Sequence, residues 1–315
     1  MKQFTSVSDV KDIDALVNSA KKLKADPLAF KTLGQDKTLV LLFFNPSLRT
    51  RLSTQKAGMN LGMSVITMNA GQGWQLEFED GAVMNTDKAE HIKEAAAVVS
   101  QYADIIGIRT FPSLTDRDKD YQDFIIHNFI RYAAVPVVSL ESAIRHPLQS
   151  LADVLTIEEW KKTEKPKVVL SWAPHPRTLP QAVSNSFAEW MMAMDYDLTI
   201  THPAGYDLHP SFTQGAKITN DQKAAFEGAD FIYTKNWSTY EPYGQILSQD
   251  ENWQITADKM ALTNLGCFMH CLPVRRNVIV ADAVIDSPQS LVIEQSNNRT
   301  YAAQAVLREM LEQRF

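Results

Sequence analysis

Cysteine is scarce: Cys267 and Cys271 are the only two in 315 residues, too few and too close for a disulfide framework. A reducing compartment is the simple reading, and the expected location is the cytoplasm. Long apolar runs are missing as well. The longest, over residues 39–44, falls far short of the roughly 18 residues that cross a bilayer, so no membrane association is expected. Residues 1–24 carry early acidic side chains and no apolar stretch, unlike a secretory leader. An excess of basic residues is absent: the net charge is -6, which argues against a nucleic-acid partner. Neither a Gly-rich P-loop nor a GxGxxG turn occurs, which disfavours nucleoside triphosphates and dinucleotides. No internal repeat, low-complexity tract or Gly/Ser-rich linker interrupts the chain.

What is present is ordinary globular material, 45% hydrophobic and 22% charged. Its length suggests two domains. Short β-rich runs at 38–44, 64–69, 105–110 and 135–140 alternate with helical patterns at 48–61, 89–102 and 121–132. The second half repeats the scheme, with strands expected at 167–172, 198–202, 231–235, 267–272 and 290–293 and helices at 181–194 and 221–226. Nearly continuous hydrophobicity suits strands covered on both faces. The expected fold class is α/β, with two domains, each a central, mainly parallel sheet flanked by helices. Residues 1–145 form the first domain in this reading, a helix over 146–163 bridges, and 164–296 form the second. A last helix near 297–315 packs back on either. Long irregular segments at 70–88, 203–220 and 238–255 are functional candidates.

The densest anion site follows the first long strand. Ser47-Leu48-Arg49-Thr50-Arg51 opens a helix, with Ser47 as the candidate N-cap. Backbone N–H groups, two hydroxyls and two guanidiniums converge there. Cations are disfavoured at a helix N-terminus unless an anion neutralises them, and that misfit points to a compact phosphate. Arg109 closes another strand, where ligands gather in open α/β sheets. His146 and Gln149, three apart at a helix start, share one face, and both can donate to a carbonyl oxygen gaining negative charge.

Cys267-Phe-Met-His270-Cys271-Leu272-Pro273 invites a zinc reading. On a strand His270 would point away from both cysteines, so no metal site is expected, and Cys267 reads as core. Pro273 at the strand end would free backbone carbonyls able to orient an amine. Arg275 and Arg276 add a cationic mouth. His175 and Arg177 end one second-half strand and Lys235 another, suited to neutralising carboxylates. Trp74, beside Gly71 and Gly73 in a polar loop, reads as exposed and able to reach a ligand or a neighbouring subunit.

Ser-x-Arg-Thr-Arg, His-Pro-x-Gln and His-Cys-Leu-Pro, in this order, resemble the aspartate/ornithine carbamoyltransferase family over essentially the whole chain. The Asp-x-x-x-Ser-Met-Gly of ornithine enzymes is missing. Trp172-Ala-Pro-His175-Pro-Arg177, Lys235-Asn-Trp237 and the Trp74 loop are instead similar to the N-acylornithine branch. The acetyl type has a glutamate at the position of Ala89 and a lysine at that of Ile279. Both are missing here, and Ala89 also departs from the proline of the succinyl type. Removing a carboxylate from the acyl pocket favours a ligand with its own carboxylate, for which Arg177 is a partner.

The resemblance therefore implies carbamoyl transfer from carbamoyl phosphate to the δ-amine of N-succinylornithine in arginine biosynthesis, giving N-succinylcitrulline and phosphate. N-acetylornithine is the alternative acceptor, and a catalytically silent carbamoyl-phosphate-binding regulator is the alternative class. It implies that Ser47, Leu48, Arg49, Thr50, Trp74 and Arg299 hold phosphate, and that Arg109, His146 and Gln149 bind and polarise the carbamoyl group. Cys271 and Leu272 would present carbonyls to amide and amine. Glu141, His175, Arg177, Lys235 and Arg275 would hold the acylornithine. A homotrimer with shared active sites is implied, and no cofactor.

Overall fold

The computed structural model describes residues 1–70 and 74–313. The chain divides into two compact units. One comprises Met1–Pro112, Asp118–Leu148 and the segment from Arg299 on; the other comprises Ser113–Arg117 and Gln149–Asn298. Both are α/β, each with a five-stranded parallel sheet.

In the first unit, β1 (Gln3–Phe4), β2 (Thr38–Phe43), β3 (Ser64–Asn69), β4 (Ile105–Arg109) and β5 (Val137–Glu141) are ordered β1-β5-β4-β2-β3. The apolar runs of β2, β4 and β5 are buried almost throughout, as strands covered on both faces require. Helix α1 (Ile13–Ala25) starts at Asp12, whose side chain accepts from the Ala15 N–H. Helix α2 (Arg49–Asn60) presses on one face of the sheet. A Cβ on Gly58 would stand 2.9 Å from Leu39 Cδ2 and 3.0 Å from Val65 Cγ2, so a side chain there would force those two residues to shift. On the other face α3 (Ile92–Val99) and α4 (Phe124–Tyr132) bury Ile92, Ala96, Ile126 and Phe129 against Val40, Leu42, Ile106 and Ile108. Alternation along β2 sends Leu39 and Val40 to opposite faces, which explains the double cover.

In the second unit, β6 (Lys167–Trp172), β7 (Asp197–Thr201), β8 (Lys217–Thr219), β9 (Phe231–Lys235) and β10 (Cys267–Met269) are ordered β8-β7-β6-β9-β10. Helix α5 (Pro147–Trp160) is buried for most of its length. The division between units falls within its first turn. Helix α6 (Ala182–Ala193) is largely buried. Helices α7 (Gln222–Phe226), α8 (Ala257–Met260) and α9 (Asp282–Ile285) are short, and α10 (Val292–Glu312) is the longest among the described residues. Ala225, Phe226, Val284 and Ile285 pack with Val169, Ile232 and Phe268 in one apolar cluster.

Several elements depart from the sequence reading. Residues 290–293 are not a strand: Ser290 makes one isolated bridge to Phe268, and Val292 already begins α10. The β-branched pair there yields to helical packing, since burial recurs at Val292, Gln295, Arg299 and Ala302. Strand β8 falls inside the expected irregular segment 203–220. It is a three-residue, largely exposed edge strand, so no apolar run marks it. Residues 90–91, expected as helix, form a short strand pair with Leu76–Glu77 before α3. Cys267 is half-buried rather than core. Ile279 is core, 1% exposed in the second unit's apolar cluster.

Candidate active site

Because β5, β4 and β2 are parallel neighbours, their C-terminal ends lie side by side. This brings together Glu141, Arg109 and the 45–50 segment. Arg109 is buried, with Nε and Nη2 donating to Glu141 Oε2 at 3.1 and 2.8 Å. Its Nη1 donates to the main-chain oxygens of Asn45 (3.2 Å) and Pro46 (2.7 Å). The guanidinium also lies 4.3 Å from the Phe111 ring centre. The Asn45 and Pro46 carbonyls, which nothing in the side-chain pattern reveals, thus fix Arg109 against the mouth of α2. His146 Nε2 stands 3.7 Å from Glu141 Oε2, too far for a hydrogen bond but close enough for electrostatic contact.

The turn before His146 is pinned by a residue the sequence reading missed. Asp123, in the left-handed region at φ 51°, accepts from Ser142 Oγ (2.6 Å) and from the Ala143 N–H (3.0 Å). Burial pushes its pKa up, opposed by these hydrogen bonds. Asp at a helix start usually caps it. Here the side chain leaves α4 to hold the loop that carries His146.

The helix start differs from expectation. Ser47 is not the N-cap: Leu48 occupies that position without a side-chain cap, and α2 begins at Arg49. The first-turn N–H groups are therefore not covered by a Ser47 hydroxyl. Thr50 is buried, and Arg299, 249 residues along the chain, donates to its hydroxyl from Nη2 at 2.5 Å. Arg51 faces elsewhere: it lies 4.4 Å from the Phe43 ring centre and donates to Asn69 Oδ1 at 2.5 Å. Arg299, from α10, thus stands beside Thr50, while Arg51 is turned to Phe43 and Asn69. Trp74 is half-buried, not exposed; it packs on the first unit's core and its Nε1 donates to Glu90 Oε2 at 2.8 Å. Gly71 and Gly73, read with it, lie outside the described residues. Ala89 is exposed, its N–H donating to the Gln75 carbonyl.

The second unit gathers its own cluster at the ends of β6, β9 and β10, which are neighbours in the sheet. Arg275 Nε donates to His175 Nε2 at 3.1 Å, and the ring's Nδ1 lies 3.0 Å from both the Arg177 carbonyl oxygen and the Arg177 main-chain nitrogen. Burial, with the Lys235, Arg275 and Arg177 charges behind it, lowers the His175 pKa and keeps the ring neutral. Lys235 is buried and Arg177 exposed. Arg276 is not part of the mouth; it is held by Asp282 and Asp286. Beyond β10, His270 Nδ1 accepts from the Leu272 N–H at 2.9 Å. Leu272 sits at φ 53°, a conformation costly for a branched residue, and such strain concentrates at functional sites. Gln149 donates from Nε2 to Asp153 Oδ1 at 2.8 Å.

These two clusters define a class. The chain matches the aspartate/ornithine carbamoyltransferase carbamoyl-P binding domain over residues 2–159 and the Asp/Orn binding domain over residues 180–310. It belongs to the aspartate/ornithine carbamoyltransferase family. Within that family it is 56% identical over 315 residues to N-succinylornithine carbamoyltransferase of Bacteroides thetaiotaomicron, covering 99% of each chain. It is similar in structure to acetylornithine transcarbamylase complexed with acetylcitrulline, with TM-score 0.94 and 35% identity over 99% of this chain and 100% of that one. A glutamate-to-alanine mutant of N-acetyl-L-ornithine transcarbamylase, complexed with carbamyl phosphate and N-succinyl-L-norvaline, gives TM-score 0.93 and 35% identity over 98% of this chain and 100% of that chain.

Proposed function

We propose that this protein transfers the carbamoyl group of carbamoyl phosphate to the δ-amine of N-succinylornithine, giving N-succinylcitrulline and phosphate, a step in arginine biosynthesis. The observation that carries the choice of acceptor is the 56% identity, end to end, with a succinylornithine enzyme, against 35% with the acetylornithine structure. Ala89 supports it, because the mutant neighbour that holds a succinyl ligand has likewise exchanged glutamate for alanine.

In this reading the first unit holds the donor. Ser47, Arg49, Thr50, the Leu48 backbone and Arg299 receive the phosphate, with Trp74 from a neighbouring subunit of a homotrimer. Arg109 and His146 polarise the carbamoyl oxygen, and the rigid setting of Arg109 on Glu141, Asn45 and Pro46 supports that role. The neutral amine attacks the carbamoyl carbon. A C–N bond forms, a tetrahedral oxyanion develops, the C–O bond to phosphate breaks and the amine loses a proton. Gln149, Cys271 and Leu272 position the amide and amine. His175, Arg177, Lys235 and Arg275 receive the acceptor's carboxylates. The resemblance makes Glu141 an acceptor ligand, while its acceptance of two Arg109 hydrogen bonds favours a supporting role for it. The scarcity of cysteine supports a cytoplasmic location.

The test is phosphate release with ornithine, N-acetylornithine and N-succinylornithine side by side. The succinyl compound should give the highest kcat/KM. Preference for N-acetylornithine would transfer the assignment to the acetyl type. Calorimetric binding of carbamoyl phosphate without turnover of any acceptor would make the protein a silent binder.

A further inference from the structure

Behind Gln149 runs a buried chain of hydrogen bonds whose polarity is set at both ends. The His270 N–H donates to Gln295 Oε1 at 2.9 Å. A main-chain donor demands an oxygen, so the Gln295 amide must turn its nitrogen the other way, and that nitrogen donates to Asp153 Oδ1 at 2.7 Å. The same carboxyl oxygen accepts Gln149 Nε2 at 2.8 Å. Gln149, Asp153 and Gln295 are at most 1% exposed, so water offers little competition for these bonds. With its nitrogen committed to Asp153, the Gln149 amide presents its oxygen on the opposite side. One turn along, Asn298 Nδ2 donates to Thr156 Oγ1 at 3.0 Å, so the α5–α10 register does not depend on Asp153 alone. The Tyr233 hydroxyl, fully buried beside Asp153 and Cys271, has its pKa driven far up by burial and then by those neighbours, and stays protonated.

We infer that Asp153 is a positioning residue for carbamoyl transfer: it holds Gln149 with the amide oxygen presented to the donor's carbamoyl N–H and, through Gln295, fixes the backbone at His270 that leads into Cys271 and Leu272. The inference rests on the carbamoyl-transfer reading above. A carboxyl group is needed at this point because two amide nitrogens converge on one atom; an apolar side chain would leave the Gln295 nitrogen without this acceptor and let Gln149 flip, and a flipped Gln149 offers N–H where the donor also offers N–H. Discrimination follows from the same geometry. A site that accepts an N–H rejects an isostere lacking it, because the buried acceptor is then left unpaired. Acetyl phosphate, with methyl in place of the amide nitrogen, is such an isostere.

The experiment compares wild type with Asp153→Leu, Asp153→Asn and Asn298→Ala. Each is assayed for turnover of carbamoyl phosphate with N-succinylornithine and for inhibition by acetyl phosphate. Asp153→Leu should lose about 100-fold in kcat/KM, as an Ångström-scale misplacement does. Its preference for carbamoyl over acetyl phosphate should narrow about tenfold. Asp153→Asn, which keeps one oxygen for both amides, should retain most of the rate and the preference. Asn298→Ala should lose thermal stability with the preference intact. An unaltered preference in Asp153→Leu, or equal narrowing in Asn298→Ala, overturns the positioning role while leaving the activity assignment standing. Wild type inactive with every ornithine derivative overturns the activity assignment, and the positioning role with it. Should Asp153→Leu not fold, Gln149→Met supplies the same comparison: it removes the presented oxygen directly and should narrow the preference equally, and a wild-type preference in it overturns the inference.

Discussion

Breaking the Arg109–Glu141 pair tests whether the donor site is built on a buried ion pair. Both side chains are 8% exposed, so solvent screening is weak and the interaction keeps most of its strength. Arg109→Met leaves the Glu141 carboxylate buried and strips donors from the Asn45 and Pro46 carbonyls. Glu141→Leu leaves the guanidinium with only those two carbonyls and the Phe111 ring. Removing one partner of such a pair costs about 3–5 kcal/mol. The double variant has no unpaired charge, and its remaining defect is the two carbonyls, about 1–3 kcal/mol each if unhydrated. The singles should therefore sum to about 4 kcal/mol more than the double. Urea denaturation read by hydrogen exchange of the β4 and β5 amides reports the first unit directly. In parallel, calorimetry should find carbamoyl phosphate affinity lost in Arg109→Met and reduced in Glu141→Leu. Single losses that add to within about 0.5 kcal/mol would refute the coupling, and unchanged affinity in Arg109→Met would remove Arg109 from the site.

Two further predictions bear on the other clusters. Thr50→Val removes the acceptor for Arg299; it should cost about 1.5–3 kcal/mol and weaken phosphate affinity in calorimetry. Wild-type affinity in that variant would show that Arg299 is set independently of Thr50. His175 has a folded pKa below its ordinary value of 6.5, so the unfolded chain takes up the proton first as pH falls. Stability should be level above pH 6.5 and decline below it until the folded ring also protonates, and His175→Gln should flatten that decline. Protonation also ends acceptance from Arg275, so KM for the acylornithine should rise over the same interval. A stability profile of His175→Gln that matches wild type down to pH 5 would refute this account.

Much of the molecule was legible from local pattern. Apolar runs of strand length identified most of the sheet strands, because strands covered on both faces leave no polar position to interrupt them. The strand expected over 267–272 stops at Met269, so Pro273 lies beyond the ladder rather than at its edge. Short edge pieces such as β8 and the residue pair 90–91 escaped, because they are exposed and carry too few residues for a periodic signal. The 290–293 run misled in the opposite direction, its β-branched side chains being claimed by the packing of α10.

Residue types at strand ends, then, were written in the sequence itself: a basic helix start after β2, an arginine closing β4, histidine and glutamine three apart, and a proline after β10. Their partners were not. Arg299 on Thr50, Glu141 under Arg109, Asp123 behind the His146 loop and Gln295 on Asp153 join positions from 19 to 249 residues apart. Pairings at such separations have no period and no local propensity. They exist because parallel strands place distant chain segments side by side, and because a buried polar group must find a partner wherever the fold has brought one.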